Sequence, residues 1–265
     1  MRVMWKGVIS FGLVTIPVKV FGATQIRSVA FHLLHDEDHG RIRFRRTCSV
    51  CDQEVGLENI VRGHEIEKER YVIVRDEELE ALPVASNHTV DILQFVRGDD
   101  IDPIYFQRSY YLVPEKVGVK AYQLLRRAMA QEDRVAVAKV AFREKEHLAT
   151  VRLRGDVLVL ETMYWPDEIR PAEFDEIAED VPVRPQEVEM ARSLIDTLTE
   201  PWAPEAFQDD YRRALLGLIE KKAAGEVVEE AAPPSRPAEV IDLVAALRAS
   251  VDQAKKRRGA AGAGS

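Results

Sequence analysis

Residues 135–163 read VAVAKVAFREKEHLATVRLRGDVLVLETM, and this stretch decides the fold class. Three apolar runs, Val135–Phe142, Leu148–Leu153 and Val157–Met163, follow in quick succession. Each is too short for an ordinary helix, and the first and last carry several valines, whose branched Cβ packs well on a pleated surface. Arg154-Gly155-Asp156 between the last two is a natural hairpin loop, because glycine tolerates the backbone angles of a tight turn. Adjacent strands of this kind predict a β-dominated core.

The strand signal extends upstream. Val8–Phe21 is mixed apolar and spaced by Gly7, Gly12 and Gly22, which predicts two short strands. Tyr71–Val74, Val90–Val96 and Ser109–Val113 are further strands, each bounded by acidic residues or by Pro and Gly. Within Arg41–Arg46 an extended chain places Arg41, Arg43 and Arg45 on one side and Ile42 and Phe44 on the other. Lys120–Gln131 reads as a helix burying Leu124, Leu125 and Ala128.

Beyond Pro166 the texture changes. Residues 167–185 are acidic and punctuated by prolines. Val188, Ala191, Ile195 and Leu198 recur at steps of three or four, so Glu187–Leu198 is an amphipathic helix. Tyr211, Leu215, Leu218 and Lys222 mark a second helix up to Gly225. Residues 226–239, with three prolines, read as a linker. A last short helix carries Val240, Val244, Leu247 and Val251 on one stripe. The four basic residues 255–258 and the Gly/Ala end form a tail expected to be disordered. The expected division is a core over 1–185, a helical part over 186–225, the linker, and a detached helix with tail over 240–265.

Composition narrows the function classes. The 265 residues are 46% hydrophobic, with no run of apolar residues long enough to span a bilayer. Met1–Lys6 lacks the layout of a signal peptide, and two cysteines are too few for a disulfide framework. The expected compartment is the cytoplasm. Net charge is −8, which alone argues against nucleic acid. The charge is unevenly spread, however: +3 over 1–63, −6 over 64–119, +5 over 120–154, −13 over 155–210 and +3 over 211–265. Binding phosphate needs local positive potential, not a positive total, because exposed charges are screened within about 8–10 Å.

Catalytic motifs are missing. There is no phosphate-binding glycine loop followed by Lys and Ser or Thr, and no dinucleotide fingerprint. His64-Glu65 lacks the second histidine of a helical zinc-protease motif. Pro166-Asp167 with the distant Glu220 and Lys222 only faintly echoes a nuclease, since the latter pair lies on a predicted solvent-facing helix. Cys48-Ser-Val-Cys51 could give two thiolates to zinc, but a structural site needs four ligands; His35 and His39, or a second copy of the pair in a dimer, would have to complete it, and two reduced thiols in a hairpin tip are the favoured reading. The expected state is no cofactor and no resident metal. A binding module is favoured over an enzyme.

For such a module Arg41–Arg46 is the best phosphate-facing surface. Alternate guanidiniums on an extended chain lie roughly 6–7 Å apart, similar to the phosphate spacing of a DNA strand, and each binds phosphate in a forked geometry. Charges guarding an edge strand against aggregation are the competing reading. Arg126, Arg127, Arg143, Lys145 and Arg152 form a second basic group.

Several blocks also resemble one known family. Met4-Trp-Lys-Gly-Val-Ile-Ser-Phe-Gly-Leu-Val-Thr-Ile-Pro-Val-Lys19 is similar to the start of prokaryotic Ku proteins. So are His39–Arg43 with the cysteine pair, Ile101–Phe106, Arg108–Tyr111 and Tyr164–Arg170. Val240–Ser250 resembles the family's ligase-recruiting end. The blocks run in family order across nearly the whole chain.

The resemblance implies a core β-barrel with a strand-built bridge, two bridges closing a ring around duplex DNA in a homodimer. It implies sequence-independent binding of double-stranded DNA ends in non-homologous end joining, with DNA ligase D as partner and no membrane. By position, Arg41, Arg43, Arg45 and Arg46 fall in the bridge, and Val240, Val244, Leu247 and Val251 suit docking into the ligase. The adhesion-type metal motif D-x-S-x-S of eukaryotic relatives does not occur, and long lysine-rich tails of some members are represented by Lys255–Arg258 alone. Two other readings compete: a zinc-dependent DNA-processing enzyme around Cys48 and Cys51, and a protein-only adaptor using its acidic stretch and terminal helix.

Overall fold

A computed structural model describes residues 1–82, 88–142, 145–178, 181–226 and 246–253. The described chain forms nine strands: β1 Trp5–Phe11, β2 Val14–Gly22, β3 Arg62–Glu67, β4 Arg70–Val74, β5 Thr89–Val96, β6 Phe106–Pro114, β7 Val135–Phe142, β8 Lys145–Arg154 and β9 Val157–Met163. Five α-helices are α1 Asp76–Glu80, α2 Val119–Glu132, α3 Asp175–Ala178, α4 Pro185–Leu198 and α5 Asp210–Ala223. Residues 246–253 are also helical. Two compact units result, Met1–Arg27 with Phe31–Pro171, and Ser28–Ala30 with Ala172–Ser265.

Seven strands close a barrel in the order β1-β2-β6-β9-β8-β7-β5, and β5 shuts it by pairing parallel to β1. Every other seam is antiparallel. Local turn chemistry sets two of the hairpins. Phe11 pairs with Val14 across Gly12-Leu13, and Arg154 with Val157 across Gly155-Asp156. In each, the first loop residue is a glycine at φ +60° or +57°, where a side chain would be strained.

Strand periodicity then fills the interior. Ile9, Ile16, Val18, Val20, Val90, Leu112, Ala136, Ala138, Val140, Ala149, Val151, Leu158 and Leu160 are buried in one cluster. Helix α2 closes one end of the barrel through Tyr122, Leu125 and Met129. The Tyr122 hydroxyl donates to the Leu112 carbonyl at 2.8 Å and accepts from the Leu158 N–H at 2.7 Å, bridging paired strands β6 and β9.

That hydroxyl hook corrects the expected face of the helix. Leu125 is buried, but Leu124 is 64% exposed and Ala128 is exposed as well. One residue turns a helix by about 100°, so fixing Tyr122 inward carries Leu124 out to solvent. The expected mixed, β-dominated fold with a barrel holds.

A second correction concerns Arg41–Arg46, which do not form a ladder strand. Isolated bridges Leu34↔Arg41 and Thr47↔Glu54 flank the segment, and residues 42–46 lie between them without regular pairing. No described residue covers the apolar side of the alternation: Phe44 is 83% exposed and Ile42 is exposed too. Without a surface to pack against, alternation alone does not make a strand. Next to this segment, β3 and β4 form a separate two-stranded sheet, also exposed along almost its whole length. β3 has no counterpart among the strands expected from sequence.

Among the described residues, one buried side-chain polar atom is unpaired. Thr150 lies on the outer face of β8 opposite Glu161, is 1% exposed, and its hydroxyl has no hydrogen-bond partner. Replacing an unsatisfied buried hydroxyl by a methyl removes a desolvation cost. Thr150→Val is therefore expected to raise unfolding stability by about 1 kcal/mol, measurable by urea denaturation.

Candidate nucleic-acid interface

The arginines at 41–46 sit between two tight turns and are all exposed. His39 and Asp52 both take positive φ, +56° and +55°. In the first turn His35 N–H donates to the Gly40 carbonyl and Asp38 accepts from the Gly40 N–H, which holds the Asp38 carboxyl below its ordinary range. The second turn contains the cysteines. Backbone N–H groups of Val50 and Cys51, joined by the Cys51 thiol, lower the Cys48 thiol from its usual value.

The four guanidiniums are not equivalent. Arg41 is held by the His32 ring at 2.8 Å, and Arg45 by Glu54 at 3.3 Å. Both pairs are exposed, where such contacts contribute little. Arg43 and Arg46 make no side-chain hydrogen bond or ion pair among the described residues, so their charge is uncompensated. The interspersed Phe44 and Ile42 make this an apolar as well as a basic surface.

The second basic group separates into tethered and free members. Arg126 on α2 is bound to the Asp156 carboxylate and to its carbonyl at 3.3 Å. Arg152 on β8 donates twice to Glu161, both at 2.7 Å, and Ser109 adds a hydroxyl at 3.0 Å. Burial alone would raise the Glu161 carboxyl, but Arg152 and Ser109 outweigh it and hold it below its ordinary value; the same bond raises Arg152. This pair neutralises itself and belongs to the barrel wall. Lys145 lies a loose 3.9 Å from Glu168 and is largely exposed. Arg127 is exposed without a partner among the described residues. Arg143 lies outside the described residues.

Sequence reading missed one basic pair. Lys6 and Lys19 stand directly opposite each other across β1 and β2 on the outer face of the barrel. Neither has a carboxylate partner among the described residues, and like charges facing across strands are destabilising unless something anionic joins them. The two are thirteen residues apart, so only the hairpin register brings them together. Of the terminal stripe, Leu247 and Val251 are half-buried on helical residues, while Val240 and Val244 lie outside the described residues.

No helix among the described residues is long and apolar enough to cross a membrane. The family model of the Ku70/Ku80 beta-barrel domain matches residues 10–190. Proteins named non-homologous end joining protein Ku are similar along almost the entire chain. That of Symbiobacterium thermophilum is 49% identical over 98% of this chain and 65% of its own length. That of Frankia casuarinae is 48% identical over 97% and 65%. That of Desulfitobacterium hafniense is 46% identical over 97% and 90%. The chain thus spans about 65% of the length of the first two relatives. With the barrel, its closing helix and these matches together, the chain belongs to the Ku family.

Proposed function

We propose that this chain acts in non-homologous end joining as a homodimer that binds ends of linear double-stranded DNA without regard to sequence. The observation that carries this reading is the projecting segment 31–74. It exposes Phe31, Leu33, Phe44, Tyr71 and Ile73 together with the uncompensated Arg43 and Arg46. A two-stranded ribbon exposed on both faces is marginal in water, so its apolar residues require a cover. A second copy supplies a self-complementary one, leaving the arginines for phosphates.

Backbone contacts position a protein on DNA without reading bases, which is what capture of arbitrary broken ends demands. Arg41, Arg43, Arg45 and Arg46 form the principal contact set. Lys6, Lys19, Arg127 and the loosely paired Lys145 are further barrel residues with charge to offer. Arg126 and Arg152 contribute less, each being committed to a carboxylate.

A closed ring threads only onto a free end. The protein is expected to bind linear duplex and to fail on covalently closed circles of the same sequence at moderate salt. Equal affinity for both would remove the ring. The terminal segment that carries Val240, Val244, Leu247 and Val251 serves as the docking element for DNA ligase D. Deleting residues 240–265 is expected to abolish stimulation of that ligase while DNA binding persists; surviving stimulation would place the docking element elsewhere.

A further inference from the structure

We propose that the open end of the barrel is a pocket for a single nucleotide, its base against an aromatic wall and its phosphate on Arg108. Among the described residues, no element plugs the end opposite α2. There a cavity of about 660 Å³ opens among Trp5, Tyr110, Phe142, His147, Tyr164 and Arg108, within the usual size of small-molecule sites. The wall is one connected aromatic cluster. Phe142 lies 5.5 Å from Trp5, 5.2 Å from Tyr110 and 6.0 Å from His147, ring centre to ring centre. Gly7 makes room for it, since a Cβ at that position would stand 2.3 Å from the Trp5 ring and 2.2 Å from the His88 carbonyl oxygen.

Three features of the lining point to a nucleotide instead of a purely apolar guest. First, no carboxylate of a described residue lines the cavity, although the chain carries a net charge of −8. An anion entering the mouth therefore meets no carboxylate among its described walls. Second, Arg108 at the rim is exposed and makes no ion pair among the described residues, so its guanidinium fork is available to phosphate. Third, the Tyr110 hydroxyl and the His147 ring nitrogens bond no described residue. Burial, with the Lys145 charge nearby, holds His147 below the usual imidazole value against the pull of Glu168, so at neutral pH the ring is uncharged and can both accept and donate. Planar bases stack on aromatic side chains whatever their sequence, and polar edges inside the mouth can meet their exocyclic groups.

Two sources offer this chemistry: a free mononucleotide, and an unpaired nucleotide at the terminus of a DNA strand. The site itself does not depend on the end-binding reading, and the experiment keeps the two apart. The full chain carrying Trp165→Phe and Trp202→Phe leaves Trp5 as its sole indole, whose emission reports the mouth. Deoxyadenosine monophosphate is expected to quench it saturably. Arg108→Ala should weaken that binding by about tenfold, the loss of one charge-assisted contact, without changing the melting temperature or the weak binding of deoxyadenosine. Duplexes that are blunt or carry one unpaired nucleotide then identify the source. Stronger quenching by the unpaired end assigns the pocket to DNA termini, and equal behaviour of both duplexes assigns it to the free nucleotide. No saturable quenching by either mononucleotide or unpaired end overturns the proposal. So does competition by inorganic phosphate as effective as the nucleotide, or an Arg108→Ala variant that binds the nucleotide unchanged.

Discussion

Replacing Arg43 and Arg46 together by alanine is expected to flatten the dependence of log affinity for linear duplex on log salt by about 1.8, or about 0.9 for each lost phosphate contact. Both side chains lie on the projecting segment, and neither has a partner among the described residues, so binding must displace no internal ion pair. Arg41 and Arg45 first have to exchange His32 and Glu54 for phosphate. Their alanine variants are expected to weaken binding by less. Arg152→Ala is the internal comparison: its guanidinium is spent on Glu161, and the slope should change far less than for the Arg43 and Arg46 double variant. All four arginines at 41–46 are exposed, so the variants should fold normally. An unchanged slope for the Arg43 and Arg46 double variant would take the segment out of the DNA interface.

Stability should respond in the opposite order. Arg152→Ala leaves the Glu161 carboxylate, whose side chain is 9% exposed, without its charge partner. Breaking a fully buried ion pair costs about 3–5 kcal/mol. Because the Arg152 side chain is 37% exposed, water recovers part of this, and a loss of about 2–3 kcal/mol is expected. Ser109 alone cannot replace a bidentate guanidinium.

The same pair sets an acid limit. The Glu161 carboxyl is depressed in the folded state relative to an unfolded glutamate near 4.3. Its contribution is therefore fully present above about pH 4.3 and is lost as the pH falls through the lower folded value. Unfolding free energies of wild type and Glu161→Gln, measured from neutral pH downward, should converge over that interval. A gap that persists to the lowest accessible pH would show that the pair is not what holds the carboxyl ionised.

Much of the barrel was legible in the sequence because its signals are local. Gly12 and Gly155 mark hairpins through positive φ, and alternating valines and alanines in 135–163 can bury only one face of a strand. The Arg154–Val157 pairing follows from three or four residues. Family blocks at 4–19, 101–111 and 164–170 fall on barrel strands and their flanking loops, so resemblance and periodicity agreed there. The phase of α2 was not legible. Leu124 and Leu125 are equivalent to any pattern count, and the choice between them falls to Tyr122, whose hydroxyl meets two strand backbones brought together by the β6–β9 register.

The candidate interface divides in the same way. Composition by segment located basic stretches, and the spacing at 41–46 singled out the arginines. Which of them are free was invisible, because Glu54, His32, Asp156 and Glu161 reach them across nine to thirty residues. Lys6 and Lys19 were missed for the converse reason, being isolated cations until a hairpin sets them side by side.

By itself, the sequence determined the fold class, the hairpin turns at Gly12 and Gly155 and the family, since each rests on neighbours along the chain or on motif order. The tertiary structure alone decided which cations remain uncompensated, which helix face is buried and that one barrel end stays open. Those properties depend on distances between residues far apart in the chain, and pairing across a closed sheet is what sets such distances.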